Sequence, residues 1–107
     1  MATTISKRLF GPAQLTNAAA TKYTCPALTI AVIRRMRVSN PSGNAVAFTL
    51  SIGNDAAGTR LYDGVTIPAN GSLDIWGPFT LAASEVVQSF AGTASVLVLE
   101  IDGTESA

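Results

Sequence analysis

The sequence offers few side chains that could perform catalysis or bind a metal. It contains no histidine and a single cysteine, Cys25. Histidine is the usual base that activates a serine or cysteine nucleophile and the commonest zinc ligand, and a thiolate metal cluster needs several cysteines. These counts exclude histidine-activated nucleophiles and cysteine metal clusters. Cys25 has no intrachain disulfide partner and is expected to be a small buried side chain.

Two groups of oxygen-bearing side chains resemble known sites only in part. Asp63 and Asp74 lie on neighbouring predicted strands, but a glycosidase needs two carboxyls that face each other across a sugar-sized cleft. Segment 53–59 carries oxygen donors but lacks the alternating acids and terminal glutamate of a calcium loop. There is also no glycine-rich phosphate loop. We therefore expect no catalytic residue, no metal site and no cofactor, and predict that the protein is not an enzyme.

The densest basic cluster is formed by Arg34, Arg35 and Arg37. Nucleic-acid modules usually carry more positive charge, interleaved with stacking aromatic residues, whereas this sequence has a pI of about 6.1. Strand alternation places Arg35 and Arg37 on one face and Arg34 on the other. The cluster therefore predicts ion pairs, within the domain or across an interface, and no nucleic-acid partner.

The charges are divided between the two halves of the chain. All seven basic residues lie in the first 60 positions, where Asp55 is the only acid, so this segment carries +6. Residues 61–107 hold six acids and no base, hence −6. Such a division can pair strands within one domain, or the basic face of one subunit with the acidic face of the next. Both interpretations stay open at this point.

Most of these residues are predicted to lie on β-strands. Val46, Phe48, Leu50 and Ile52 alternate with small residues, and Leu97, Leu99 and Ile101 alternate with Val96, Val98 and Glu100. Turn-forming segments at 40–44, 54–58 and 68–71 separate the runs. Strands are expected near 4–10, 19–24, 28–39, 45–53, 59–67, 72–77, 84–91 and 94–102. Residues 1–107 are therefore predicted to form one all-β domain, an antiparallel β-sandwich of jelly-roll type with about eight strands.

Strand 28–39 contains one irregularity. Its predicted apolar phase comprises Ile30, Val32, Met36 and Val38. Arg34 falls in this same phase, so either a bulge near Ile33 shifts the register or the stem of the arginine packs inward.

Several outward positions suggest contact with other molecules. On strand 45–53 the face opposite the core carries only small, uncharged residues, which suits packing against a sheet or subunit but also fits a wet, alanine-rich face. By alternation from Leu73 and Ile75, Trp76 points outward, where it either closes one end of the sandwich or anchors a subunit or glycan contact. Alternation from Leu61 places Tyr62 outward as well.

The N-terminal segment has no apolar run of the kind found in signal peptides, and no run approaches the ~18 residues that span a bilayer. We expect neither secretion by the usual routes nor a membrane partner. Residues 1–10 are a candidate assembly arm that pairs with a neighbouring strand. The candidate interface residues are Lys7, Arg8, Phe10, Arg35, Arg37, Tyr62 and Trp76.

Seven segments give the sequence a characteristic layout: 9–15 (LFGPAQL), 19–27 (AATKYTCPA), 32–34 (VIR), 48–53 (FTLSIG), 56–61 (AAGTRL), 67–71 (IPANG) and 87–91 (VQSFA). This layout resembles that of small β-sandwich virion proteins of tailed bacteriophages. The resemblance implies a structural role in the virion, assembled in the host cytoplasm, with major capsid or tail proteins as partners and a homo-oligomer as the expected state. It implies no active site.

Three functions follow from these observations. The first is a capsid decoration or cement protein that binds the particle through sheet faces and its N-terminal segment, each modest contact reinforced by repetition. The second is a minor tail, tail-tip or fibre-associated protein. The third is a carbohydrate- or receptor-binding module that uses Trp76 and Tyr62 as a platform.

Overall fold

Eight β-strands form two four-stranded antiparallel sheets in the computed structural model, which describes residues 4–106. The strands are β1 (Thr4–Gln14), β2 (Ala20–Thr24), β3 (Ile30–Ser39), β4 (Val46–Ile52), β5 (Arg60–Ile67), β6 (Ser72–Leu81), β7 (Val86–Ala91) and β8 (Val98–Ser106). The described residues contain no helix, and therefore none that is long and apolar enough to cross a membrane.

The strand order identifies the fold. The first sheet has the order β1-β8-β3-β6 and the second has the order β2-β7-β4-β5. The chain changes sheet at every connection except the β4–β5 hairpin, so each sheet is completed only by strands distant in sequence. Two interleaved four-stranded sheets of this kind form a jelly roll, which confirms the predicted fold class.

The core lies between the two sheets and consists of the inward side chains of both. The predicted inward phases of β4 and of the C-terminal strand are confirmed, because Phe48, Leu50, Leu97, Leu99 and Ile101 are fully buried. The other completely buried large side chains are Leu15, Ile33, Met36, Val38, Ile67, Ile75 and Leu81.

The irregularity in β3 is a bulge at Arg34. The register shifts between Ile33 and Arg35 against both neighbouring strands, β6 and β8. The predicted bulge near Ile33 is confirmed, but the prediction of which residues N-terminal to the bulge face the core was wrong. Ala31 and Ile33 are the inward residues there, because the bulge inserts one residue and reverses the alternation on its N-terminal side.

The outward placement of Tyr62 was also wrong. The side chain of Tyr62 packs against the core, with its ring 6.3 Å from that of Phe48, whereas Leu61 is 47% exposed. The cause is the register shift between the Phe48–Val65 and Leu50–Tyr62 pairings of the β4–β5 ladder, beside Gly64, which has a left-handed φ of 64°. This shift turns β5 by one residue relative to a regular strand.

Some predicted boundaries differ from the observed ones. β6 continues past the predicted end at 77 to Leu81, since its pairing with β3 resumes at Phe79, and Pro78 is tolerated because β6 is an edge strand. The last strand begins at Val98 rather than 94 and runs to Ser106. Residues 4–10 of the candidate arm lie in β1, paired with β8 of their own chain, and positions 1–3 lie outside the described residues.

Candidate assembly surface

The outer face of the first sheet carries a compact group of charged residues around Trp76. Pairing across the four strands places Arg8, Asp102, Arg35 and Trp76 side by side in one row. The next outward row holds Glu100, Arg37 and Asp74. Between the two rows, Ile101, Met36 and Ile75 point into the core. We call these seven outward residues the charged face.

Ion pairs link the strands of the charged face. Arg37 Nε lies 3.1 Å from Asp74 Oδ1, and Arg35 Nη2 lies 3.7 Å from the same oxygen. Arg8 Nε lies 3.8 Å from Glu100 Oε2. The basic and acidic halves of the chain thus pair within one subunit on this face. All these side chains are partly exposed, and such surface pairs contribute at most about 1 kcal/mol each.

Trp76 is the one aromatic residue among the seven of the charged face. It is 68% exposed, and the guanidinium carbon of Arg35 lies 5.4 Å from the centre of its ring. The Nε atom of Arg35 is buried and finds no hydrogen-bond acceptor among the described residues. Because Arg35 covers only part of the indole, Trp76 presents a large apolar surface beside several charges, as binding hot spots often do.

A second polar cluster joins the two sheets at one end of the sandwich. Glu105 on β8 accepts hydrogen bonds from the hydroxyl of Tyr23 on β2 and from Nζ of Lys7 on β1, the latter at 3.1 Å. The Tyr23 hydrogen bond, followed by that of Lys7, lowers the pKa of Glu105. Burial, and then the hydrogen bond to Glu105, raise the pKa of Tyr23. This cluster ties the N-terminal strand to both sheets.

Acid is expected to destabilise the protein through Glu105. A carboxyl whose pKa is lower in the folded state contributes stability above its unfolded value of about 4.3, and this contribution is lost as the pH falls through the folded value. Urea unfolding of the wild type and of Glu105→Gln between pH 7 and pH 2.5 measures the contribution of Glu105 to the free energy of unfolding. The stability difference between the two should shrink as the pH falls, and a constant difference would contradict the role of Glu105.

The outer face of the second sheet is built differently. Its small β4 residues were predicted to suit packing against a sheet or subunit, or to form a wet face, and Thr49 and Ser51 are buried within this chain. Asp55, in the loop before β5, folds over this face and accepts hydrogen bonds from Ser51 Oγ and, through both carboxylate oxygens, from Arg60. The arginine then extends over the ring of Phe90 at 5.6 Å. The loop that carries Asp55 therefore covers part of the outer face that was predicted to suit packing against a sheet or subunit.

The remaining candidate residues occupy different environments. Phe10 packs partly against the core, with Lys22 Nζ 5.7 Å from the centre of its ring, so it does not join the charged face. Arg34, the bulge residue, is exposed. The structure thus groups Arg8, Arg35, Arg37 and Trp76, and separates Lys7, Phe10 and Tyr62 from them.

Sequence reasoning did not identify the three acids of the charged face as members of the site. Asp74, Glu100 and Asp102 lie opposite the arginines only because strands distant in sequence pair in one register. The division of charge between the two halves was the one signal that pointed to such pairing. It did not show which acid faces which arginine.

A shallow polar cavity of about 360 Å³ lies at the end of the sandwich between β3 and β6. Asn40 shapes its wall: its amide donates to the carbonyls of Asn44 and Ile67, and its carbonyl oxygen accepts from Ser42. Both polar atoms of the asparagine side chain are used inside the chain, so its role is to hold the loop.

Comparison with known proteins finds similarity in structure alone. No protein-family model matches the sequence, and no curated protein does. A chain from the capsid of Helicobacter pylori bacteriophage KHP30 matches with a TM-score of 0.61 at 9% identity, over 100% of this chain and 94% of that chain. A chain from the disulfide-linked pili of Bacillus endospore appendages matches with a TM-score of 0.57 at 16% identity, over 99% and 88% of the two chains.

A third solved structure extends the range of similar folds. It is a chain from the virus-like particle of the extra small virus of the prawn Macrobrachium rosenbergii, with a TM-score of 0.56 at 12% identity over 98% of this chain and 79% of that chain. At such identities the likeness shows the fold. The jelly roll of this protein is the fold of chains found in viral capsids and in a pilus.

The Bacillus pili are disulfide-linked, whereas Cys25 of this chain is not accessible to a second thiol. The Cys25 thiol is 1% exposed and donates hydrogen bonds to the carbonyl oxygens of Thr29, at 3.3 Å, and Leu81, at 3.7 Å. Burial raises its pKa, which further disfavours the thiolate needed for disulfide exchange. Cys25 is therefore a packing residue in the folded chain, as its solitary position predicted.

Proposed function

We propose that this protein is a structural component of a virion, most specifically an accessory decoration or cement protein on the capsid of a tailed bacteriophage. The observation that carries the proposal is the charged face: a preformed, rigid sheet surface with an exposed Trp76, on a complete jelly roll. Nearly the whole chain and nearly the whole KHP30 capsid chain match each other, which supports a role for this domain as a unit of assembly. No catalytic step enters this function.

The mechanism is repeated weak binding by a surface that needs no rearrangement. Backbone hydrogen bonds and the core fix the outer face of the first sheet before contact, so few degrees of freedom are lost on binding. Trp76 supplies apolar area, and the arginines and acids beside it select a partner of complementary charge. Many copies on one particle then add their modest contacts.

Quantitative mass spectrometry of gradient-purified particles tests the proposed role and its nearest alternative. A decoration protein is expected in copy number comparable with that of the major capsid protein. A minor tail, tail-tip or fibre-associated protein would occur in far fewer copies. Absence of the protein from purified particles would contradict both virion roles.

A glycan- or receptor-binding module is the second candidate, and it rests on the exposure of Trp76. The Trp76→Ala variant separates the two functions in one experiment, in which particle binding and binding to a glycan panel are measured together. Loss of particle binding alone supports the structural role. Loss of glycan binding with intact particle binding supports the receptor module instead.

A further inference from the structure

We propose that a second copy of this chain stacks on the charged face, outer face against outer face, with a two-fold axis parallel to the strands. This inference goes beyond the proposed function. It concerns the free protein, in which a second copy occupies the face that the particle takes in the proposed function, so the two partners compete for it.

The charges of the face alternate in sign from strand to strand. Across the sheet, the outward residues are Arg8 on β1, Asp102 and Glu100 on β8, Arg35 and Arg37 on β3, and Asp74 and Trp76 on β6. The order is therefore positive, negative, positive, negative. About the line between β8 and β3, the middle of the sheet, the two central strands are antisymmetric in charge, because Asp102 mirrors Arg35 and Glu100 mirrors Arg37.

A two-fold axis along that line converts this antisymmetry into complementarity. It turns the second sheet over and reverses its strand order, so β8 faces β3 of the second copy and β1 faces β6. Asp102 then lies opposite Arg35 of the second copy, and Glu100 opposite Arg37. Arg8 lies opposite Trp76, and every such pair occurs twice because the interface is isologous.

The alternative face-to-face arrangement is disfavoured by the same charges. An axis perpendicular to the strands would keep the strand order, so the acids of β8 would face the acids of the other β8. The arginines of β3 would likewise face each other, and apposed like charges cost several kcal/mol. The charge pattern thus selects one relative orientation of the two copies.

Among the described residues of this face only Arg37 and Asp74 form a close ion pair, at 3.1 Å, and the other charged groups are available to a partner. The Arg35–Asp74 and Arg8–Glu100 pairs are long, at 3.7 and 3.8 Å. Asp102 forms no ion pair within the part of the chain that the structure describes. The side chains of Arg8 and Arg35 keep 58% and 33% of their surface exposed, so carboxylates of a second copy can reach their guanidinium groups.

The size of the face predicts a weak dimer. Four strands about 4.8 Å apart, each with roughly nine residues at ~3.3 Å, give about 600 Å² per copy, hence roughly 1,200 Å² in total. This lies at the lower limit of specific interfaces, so association should depend on concentration. Because the contacts are charged and close to solvent, salt should weaken it.

The chain contains one tryptophan, Trp76, so its fluorescence reports directly on this face. Sedimentation velocity and emission spectra are recorded on the wild type from about 1 μM to 1 mM, at low and high salt. We expect the mass to double while the emission maximum moves to shorter wavelength, with both changes reversed by salt. A monomer throughout, or a doubling of mass that leaves the emission unchanged, would overturn the proposal.

A charge exchange tests the orientation of the copies. One variant carries Arg35→Glu with Arg37→Glu, the other Glu100→Lys with Asp102→Lys, and circular dichroism checks that each is folded. Each variant alone should remain monomeric, whereas an equimolar mixture should form a heterodimer, since unlike charges then face each other at both strands. Thr66→Glu, on the outer face of the second sheet, serves as the control and should dimerise like the wild type.

The two experiments keep the proposal distinct from the proposed function. If the exchanged variants fail to fold, the wild-type fluorescence series still decides the matter. If both fold and their mixture stays monomeric although the wild type dimerises, the proposed orientation is wrong. A dimer in solution together with absence from purified particles would contradict the virion role and leave the stacked interface standing.

Discussion

Replacing Gly103 with alanine is expected to destabilise the fold by about 3 kcal/mol or more, because an added methyl group would overlap the backbone of the adjacent strand. A Cβ atom at this position would lie 2.1 Å from the carbonyl oxygen of Val32 and 3.0 Å from a methyl carbon of Leu9. The obstacle is main chain in β3, a central strand paired on both sides, so it cannot move away without breaking the sheet. Urea unfolding at pH 7 measures the loss.

Gly43→Ala provides the matched control for this substitution. A Cβ atom at Gly43 would meet nothing within 4 Å, so its effect should stay within about 0.5 kcal/mol. Equal stability of the two alanine variants would show that β8 and β3 do not approach as closely as the structure has them.

Removing the ring of Phe48 is expected to cost about 3–5 kcal/mol of unfolding free energy. Phe48 is fully buried in the centre of β4 and packs against the inward ring of Tyr62. Truncation to alanine removes a large apolar side chain and leaves a cavity between sheets whose backbones are fixed by hydrogen bonds. Thermal and urea unfolding both report the change.

Phe90→Ala makes the same chemical change on the opposite face of the same sheet. Phe90 pairs with Thr49, next to Phe48, but points outward beneath Arg60 and is half-buried. It should lose only about 1 kcal/mol, since little cavity forms at a surface. A loss as large as that of Phe48→Ala would contradict the assignment of inner and outer faces on the second sheet.

The sequence was sufficient to predict the number of strands and the class of fold, because alternation survives wherever a strand is regular. In β4 the inward residues are apolar and the outward ones small, and around the start of β8 Leu97, Leu99 and Ile101 face the core while Glu100 and Asp102 face outward, so the phase is clear. Before the bulge in β3, Ile30, Ala31, Val32 and Ile33 are all apolar, so alternation cannot say which pair faces the core. The charge of Arg34 indicated the bulge but not its effect on these four residues.

The same ambiguity between consecutive apolar residues explains why the orientation of Tyr62 was predicted wrongly. Leu61 and Tyr62 are both apolar enough to face a core, and the register shift beside Gly64 decides between them. Such shifts depend on pairing with β4, which a pattern within one strand does not report. A glycine in the middle of a predicted strand was the available warning, because glycine often marks a bulge.

The charged face could be predicted only in part. Alternation correctly placed Arg35, Arg37 and Trp76 outward, but their acidic neighbours come from β6 and β8, far along the chain. Which residues meet across a sheet depends on tertiary register, which is set by the whole core and by the bulge at Arg34. The arrangement of alternating signs therefore becomes visible only in the folded structure.

We propose above that the folded chain is an assembly subunit that binds a particle through a preformed face. The most direct test adds purified protein to phage particles produced without it and measures bound copies as its concentration rises. We predict saturable binding to repeated sites, an increase in the thermal stability of the particle, and a large loss of affinity for Trp76→Ala. Failure of the folded wild-type protein to bind such particles would contradict a role as an assembly subunit.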